Sequence, residues 1–215
     1  MRSFLGVTAH FGINTEIHSI TLGVYELDNT HTSEYISEKI LNTCMEWGIE
    51  KEKVSAVVPD NAANMVKAID IAFTKRKHIP CFAHTLNLVV QTVLQYKYLQ
   101  EIIMKMKAIV TWFKQSCIAS DELRKATPSE KKLIQDVPTR WNSTYYMMER
   151  FLKLRSYIND IVIRHKSAPS MLSGLELSIV AAVVPVLRPL EAATREISAE
   201  KFSTSSKIIP LCIRG

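Results

Sequence analysis

Asp60 is the residue best placed to do chemistry. It follows the apolar run Val54-Ser55-Ala56-Val57-Val58 and enters a turn at Pro59-Asp60-Asn61. In open α/β sheets, ligands bind outside the carboxyl ends of the strands. A carboxylate there can hold Mg²⁺, which takes oxygen ligands and is usually bound by one or two carboxylates plus substrate phosphate. The competing reading is a cap. Asp is a preferred residue just before a helix, and a helix beginning near Asn61 to Asn64 would give Asp60 that commoner job.

Three other constellations could carry chemistry. Cys81-Phe82-Ala83-His84 offers two soft metal donors three residues apart. A structural zinc site needs about four donors, usually as two such pairs, and no second pair is present. A packed Cys beside a hydrogen-bonded His is the simpler meaning. Arg140-Trp141 follows Pro138. An indole can stack on a base and a guanidinium can reach phosphate, but a Trp also commonly anchors a helix in a core. Lys75-Arg76-Lys77-His78 could touch phosphates, or could simply be a solvated helix end. No Walker loop, dinucleotide glycine fingerprint, serine elbow or thiol-protease signature occurs.

The elements that must position these residues follow from periodicity. Phe4–Phe11 and His18–Tyr25 flank the turn signal Gly12-Ile13-Asn14 and predict an antiparallel hairpin. Thr32 or Ser33 caps a helix whose face carries Ile36, Ile40, Leu41, Cys44 and Trp47, and Gly48 stops it. Val54–Val58 reads as a buried strand with helices on both faces. A second helix is expected from about Ala62 to Phe73, and Ile79–Ala83 as a last short strand.

Beyond this the chain reads as helical. His84 to about Tyr96 is helix-compatible, and Leu99, Ile102, Ile103, Met106, Ile109, Val110 and Phe113 form an amphipathic stripe. Asp121 and Ser129 are candidate caps. A long helix should follow Asn142, with Tyr145, Met148, Leu152, Arg155 and Ile158 along it. Leu175–Ile197 should be helical, kinked or broken near Pro185 and Pro189.

The chain has 215 residues, enough for one large domain or one domain with a helical appendage. Its 47% hydrophobic content supports a core. The apolar run Ile179–Leu187 is short of the roughly 20 residues that span a membrane. Four scattered cysteines suit reduced thiols inside a cell, and the start of the chain lacks a secretory h-region. A net charge of +6 leans mildly toward polyanions.

Three segments, taken in order, carry a family resemblance: Val57-Val58-Pro59-Asp60-Asn61-Ala62-Ala63-Asn64-Met65, His78-Ile79-Pro80-Cys81-Phe82-Ala83-His84-Thr85-Leu86-Asn87-Leu88, and Gln135-Asp136-Val137-Pro138-Thr139-Arg140-Trp141-Asn142-Ser143-Thr144. They resemble the hAT-superfamily transposases, and more narrowly the animal zinc-finger BED-domain proteins derived from them. Leu5–His10 and Glu200–Thr204 fit as well, so the similarity runs along nearly the whole chain.

The resemblance implies an α/β fold: an incomplete RNase H-like mixed sheet in residues 1–90, then an all-helical insertion region in residues 91–215. It implies that Asp60 matches the second acid of an Asp-Asp-Glu triad that works with Mg²⁺ in active relatives. Cys81 and His84 match a family Cys-x-x-His element, and Trp141 matches the Trp that works on the flipped or hairpin DNA end, beside which Arg140 would reach phosphate. It places the first acid on a strand before Phe4 and the third, a Glu, beyond Gly215. Glu191, Glu196 and Glu200 are not candidates for it. Pro59 departs from the Thr or Ser common in the family.

The expectation is therefore a transposase-derived chain that is not an active enzyme, with Asp60 a remnant carboxylate and no cofactor of its own. It would reside in the nucleus, with DNA and a second copy as partners and neither membrane nor small-molecule substrate. The alternatives are an active transposase completed by parts outside this chain, or a helical interaction module that ignores DNA.

Overall fold

The computed structural model describes residues 2–127 and 131–198. The chain divides into two compact units, one built from residues up to Thr85 and the other from Leu86–Arg195. Each has its own apolar core.

The first unit opens with a long hairpin. Strands β1 (Ser3–Ile13) and β2 (Glu16–Leu27) pair antiparallel, with a register irregularity between Val7 and Thr8. Asn14 turns the chain at φ 54°, a left-handed conformation that Asn tolerates because its short side chain can bond locally. Only the proximal half of the hairpin reaches a core: Leu5 is buried and Val7 and Leu27 pack beside it. The distal half leaves Phe11, Ile13, Ile17 and Ile20 exposed.

Helix α1 (Ser33–Glu46) begins at Thr32, whose hydroxyl accepts from Tyr35 N at 3.2 Å. It ends in a Schellman arrangement: Gly48, at φ 62°, donates to Met45 O at 3.1 Å, and Ile49 N donates to Cys44 O at 2.8 Å. Both boundaries match what Thr32 and Gly48 predicted. Helix α2 (Ala63–Ala72) packs Ala68, Ile69 and Ala72 against Ile36, Ile40 and Cys44 of α1. Two single-turn 3₁₀ segments, Lys51–Lys53 and Lys75–Lys77, flank α2's connections.

The mixed character of the β structure rests on one further pairing. Val57 and His78 form an isolated parallel bridge. Val57 N donates to Lys77 O at 2.7 Å and Ile79 N donates to Val57 O at 2.9 Å. The expected buried strand at Val54–Val58 is therefore reduced to this bridge. Its residues are covered on one side only: Val57 is half-buried and packed on the α1–α2 core, while Val58 is 57% exposed. The expected strand at Ile79–Ala83 does not form, because helix α3 (Phe82–Leu94) already starts at Phe82.

The second unit is helical. Helices α4 (Lys97–Gln115), α5 (Cys117–Ala126), α6 (Trp141–Arg164) and α7 (Gly174–Ile197) surround one core. All seven apolar stripe residues from Leu99 to Phe113 are buried on α4. Ser116, not Asp121, caps α5: its hydroxyl accepts from Ala119 N at 3.2 Å, and Asp121 lies inside the helix. The candidate cap Ser129 lies outside the described residues.

Helix α7 differs from expectation twice. It runs unbroken through Pro185 and Pro189. Both prolines are exposed, so the carbonyls they leave unbonded one turn back can turn to water. By length and composition α7 is also apolar enough to cross a membrane, although no such run was expected. Its Val180, Val184 and Leu187 nonetheless belong to the helical core, and Glu176 and Glu191 are buried in polar contacts. A capping box starts it: Ser173 N donates to the Glu176 carboxylate at 2.8 Å and Glu176 N donates to Ser173 Oγ at 3.3 Å.

Candidate functional site

Asp60 owes its position to the parallel bridge. Because Val57 and His78 run in the same direction, the residues that follow each of them emerge at the same end. Pro59 is buried and fixes the chain as it leaves the bridge, and Asp60 is the next residue, exposed. Its Oδ1 accepts from Ala62 N at 3.4 Å, a local turn contact. The N-cap of α2 is Ala62, and no side chain caps that helix. The capping reading of Asp60 is thereby corrected: the carboxylate closes a loose turn ahead of the helix and presents its remaining lone pairs to solvent.

Asn61 does what sequence reasoning overlooked. Its amide oxygen accepts from Cys81 N at 3.1 Å, while its amide nitrogen donates to Cys81 O at 3.3 Å and to Thr85 Oγ1 at 2.8 Å. Thr85 Oγ1 in turn donates to Cys81 O at 3.1 Å. One side chain thus satisfies both backbone groups of Cys81 and pins the entry of α3 to the turn that carries Asp60. Asn64 makes a similar span from α2, donating to His31 O at 3.1 Å ahead of α1. The signal was present in the sequence as two amides flanking the Ala62-Ala63 pair. Asn side chains bond backbone groups readily in turns, but nothing in the spacing named the distant partner.

Cys81 and His84 therefore lie in the same unit as Asp60, with the Cys81 backbone held in the clamp and His84 between the clamped residues Cys81 and Thr85. Cys81 is a half-buried free thiol just before Phe82, and His84 is half-buried in the first turn of α3. Among the described residues, no group of three or more His, Cys, Asp or Glu is arranged to hold a metal ion. The donor set at Asp60 thus does not fit a Mg²⁺ site of the kind that the resemblance implies. A single exposed carboxylate supplies one of the ligands and leaves the geometry unfixed.

The third motif belongs to the second unit. Trp141 is 2% exposed and sits in the helical core, its ring 6.5 Å from that of Tyr145. Its indole Nε1 is buried without a protein partner. Arg140 is exposed and stands at the N-cap of α6. The bend that sets it up is closed by Ser143, whose Oγ accepts from Val137 N at 2.6 Å and lies 2.6 Å from Arg140 O. Just upstream, the buried Asp136 carboxylate pairs with Lys107 Nζ of α4 at 2.7 Å. Of the two residues expected at DNA, only Arg140 presents its side chain to solvent in this conformation. Glu191 is occupied in structure, accepting from the Tyr146 hydroxyl. That bond to a carboxylate pushes the Tyr146 phenol above its ordinary range, with burial adding to it.

Comparison with known proteins now places the chain. Residues 1–84 match the family described as the ZBED1 RNase-like domain, and residues 79–184 match the ZBED1 RNase-like helical domain. The chain is 28% identical over 166 residues to zinc finger BED domain-containing protein 4 of Homo sapiens, covering 74% of this chain and 14% of that protein. It is 31% identical over 187 residues to the putative AC transposase of Zea mays, covering 78% and 22%. It is 24% identical over 249 residues to the putative transcriptional regulator tpeD of Talaromyces stipitatus, covering 98% and 29%. The chain thus spans less than a third of the length of each of these relatives. Two overlapping family matches that together cover residues 1–184, with the BED zinc finger and transposase relatives, show that the chain belongs to the hAT transposase-derived family and corresponds to its RNase-like core.

Proposed function

We propose that this chain acts as a nuclear, transposase-derived DNA- or chromatin-associating module and does not itself cut or join DNA. The observation that carries the reading is Asp60. It stands exposed at the end of the Val57 segment, its turn clamped to Cys81 and Thr85 through Asn61, yet among the described residues it belongs to no group of three or more side chains that could hold a metal ion. Phosphodiester transfer of the two-metal kind needs ions held in fixed geometry on both the attacking and the leaving oxygen. One carboxylate on a loose turn does not fix such a pair. The names of the relatives point two ways, to transposases and to a transcriptional regulator, and association with DNA is the behaviour common to both readings.

The chain should bind duplex DNA at low salt, with an affinity that falls as salt rises. A strand-cleavage and strand-transfer assay with Mg²⁺ or Mn²⁺ should be negative. Cleavage by the intact chain that disappears in Asp60→Ala would overturn the inactive reading. It would favour instead an enzyme whose other acids are supplied by residues outside this chain. A complete lack of DNA affinity at low salt would favour a helical interaction module. Nuclear residence is tested by imaging the tagged chain.

A further inference from the structure

The parallel bridge that delivers Asp60 and Cys81 to one end leaves the preceding residues of both segments at the other end. Those residues are the two 3₁₀ turns, Lys51–Lys53 and Lys75–Lys77. They are joined directly: Lys77 Nζ donates to Lys51 O at 2.7 Å and reaches Glu52 O at 3.4 Å. One ammonium is thereby used as a strut, and five cationic residues are gathered onto two adjoining turns.

Two carboxylates, Glu50 and Glu52, accompany the five cations on the turns. Glu50 is taken by Lys53 at 2.9 Å, an exposed pair. Lys51, Lys75 and Arg76 are exposed and make no ion pair among the described residues. Elsewhere in the first unit, Arg2 pairs with Glu26 and Lys67 with Glu34, and Lys39 lies over the Tyr35 ring. Lys51, Lys75 and Arg76 thus stand close together on the double turn without an ion pair among the described residues, and the five cations there outnumber Glu50 and Glu52. Each turn closes on itself, with Lys53 N donating to Glu50 O at 3.0 Å and Lys77 N to Thr74 O at 3.1 Å.

We propose that this double turn is a phosphate-backbone contact for duplex DNA, separate from the Asp60 end of the same segments. The proposal rests on the DNA-association reading above and names the surface that carries it. Phosphate contacts of this kind set affinity and register without reading sequence. Lys75 and Arg76, adjacent in the chain, can address neighbouring phosphates, and Lys51 widens the contact from the other turn.

The test is the salt dependence of binding to a short fluorescein-labelled duplex, followed by anisotropy on the full chain. Each cation removed from a phosphate lowers the slope of log K against log salt by about 1. The triple variant Lys51→Ala/Lys75→Ala/Arg76→Ala should lower the slope by about 3. The variant Lys114→Ala/Lys125→Ala/Lys166→Ala removes the same charge from exposed positions on the helical unit and should leave the slope unchanged. Circular dichroism checks that both remain folded, and Lys75→Arg, which keeps the charge, should bind like the parent. Equal slopes for the parent and the first variant, or equal losses in the two triple variants, overturn the proposal while leaving DNA association intact. A parent chain that does not bind at low salt overturns both readings.

Discussion

The two units spend their apolar residues very differently. Among the described residues, the helical unit gathers 25 buried apolar residues in one core, with Met106, Ile109, Val110, Phe151 and Ile158 fully enclosed. The unit that carries Asp60 gathers eight of the described residues in its core, beneath a hairpin whose outer half leaves Phe11, Ile13, Ile17 and Ile20 exposed. The helical unit is complete in itself because four of its helices each present a stripe to the same interior. The β-containing unit has a two-stranded sheet and a single parallel bridge to cover two helices, and isolated two-stranded pairings are marginal in water. A site resting on such a frame is held by local polar clamps such as Asn61 rather than by packing.

The sharpest way to break that contrast is a cavity in the larger core. Phe151→Ala should cost about 4 kcal/mol, since a fully buried aromatic is removed from a close-packed interior. Hydrogen exchange should show the protection loss confined to Leu86–Arg195, with Val57 and Ile79 amides unchanged. Equal loss in both units would show that they unfold as one and erase the distinction. Next in size is Lys107→Met, which leaves the nearly fully buried Asp136 carboxylate without its partner. Breaking a buried pair costs about 3 kcal/mol through the uncompensated charge. Chemical denaturation measures it, and the double variant Lys107→Met/Asp136→Leu should recover most of the loss.

The same contrast governs what was legible in sequence. Periodicity found α4 because every stripe residue from Leu99 to Phe113 meets the same core. Local capping chemistry found both ends of α1 at Thr32 and Gly48. The errors fall where tertiary context decides. Val54–Val58 is apolar enough for a strand buried on both faces, but Val58 finds nothing to cover it. Pro185 and Pro189 promise a break, but their exposure lets the helix continue. Trp141 was open between core and DNA, and the structure places it in the core in this conformation. The Asn61 clamp joins residues twenty positions apart, which no short-range rule reaches.

A smaller effect probes the clamp on the β-containing side. Asn61→Ala removes three hydrogen bonds around Cys81 and Thr85 and should cost about 2 kcal/mol. Because the freed backbone is that of Cys81, the more direct readout is its half-buried thiol, which should react faster with a thiol reagent. Protection of α4 and α6 amides should stay the same. If Cys81 reactivity does not move, the clamp is not what holds the entry of α3.

The smallest effect returns to the helical unit and depends on pH. The hydrogen bond from Lys105 holds the Glu176 carboxyl below the ordinary carboxylate range, and the bond from Ser173 N adds to it. A carboxyl lowered by folding binds fewer protons in the native state, so its contribution is complete above the unfolded value of about 4.3 and disappears as pH falls through the lower folded value. Glu176→Gln keeps the shape of the capping box but surrenders the charge on both the helix N-terminus and Lys105. At neutral pH it should cost about 1 kcal/mol. The gap between parent and variant in urea denaturation should then close steadily below pH 4. A gap that stayed constant with pH would mean that geometry at the Ser173 cap, and not the charge, secures the start of α7. The apparent robustness of the larger core would then owe nothing to this ion pair.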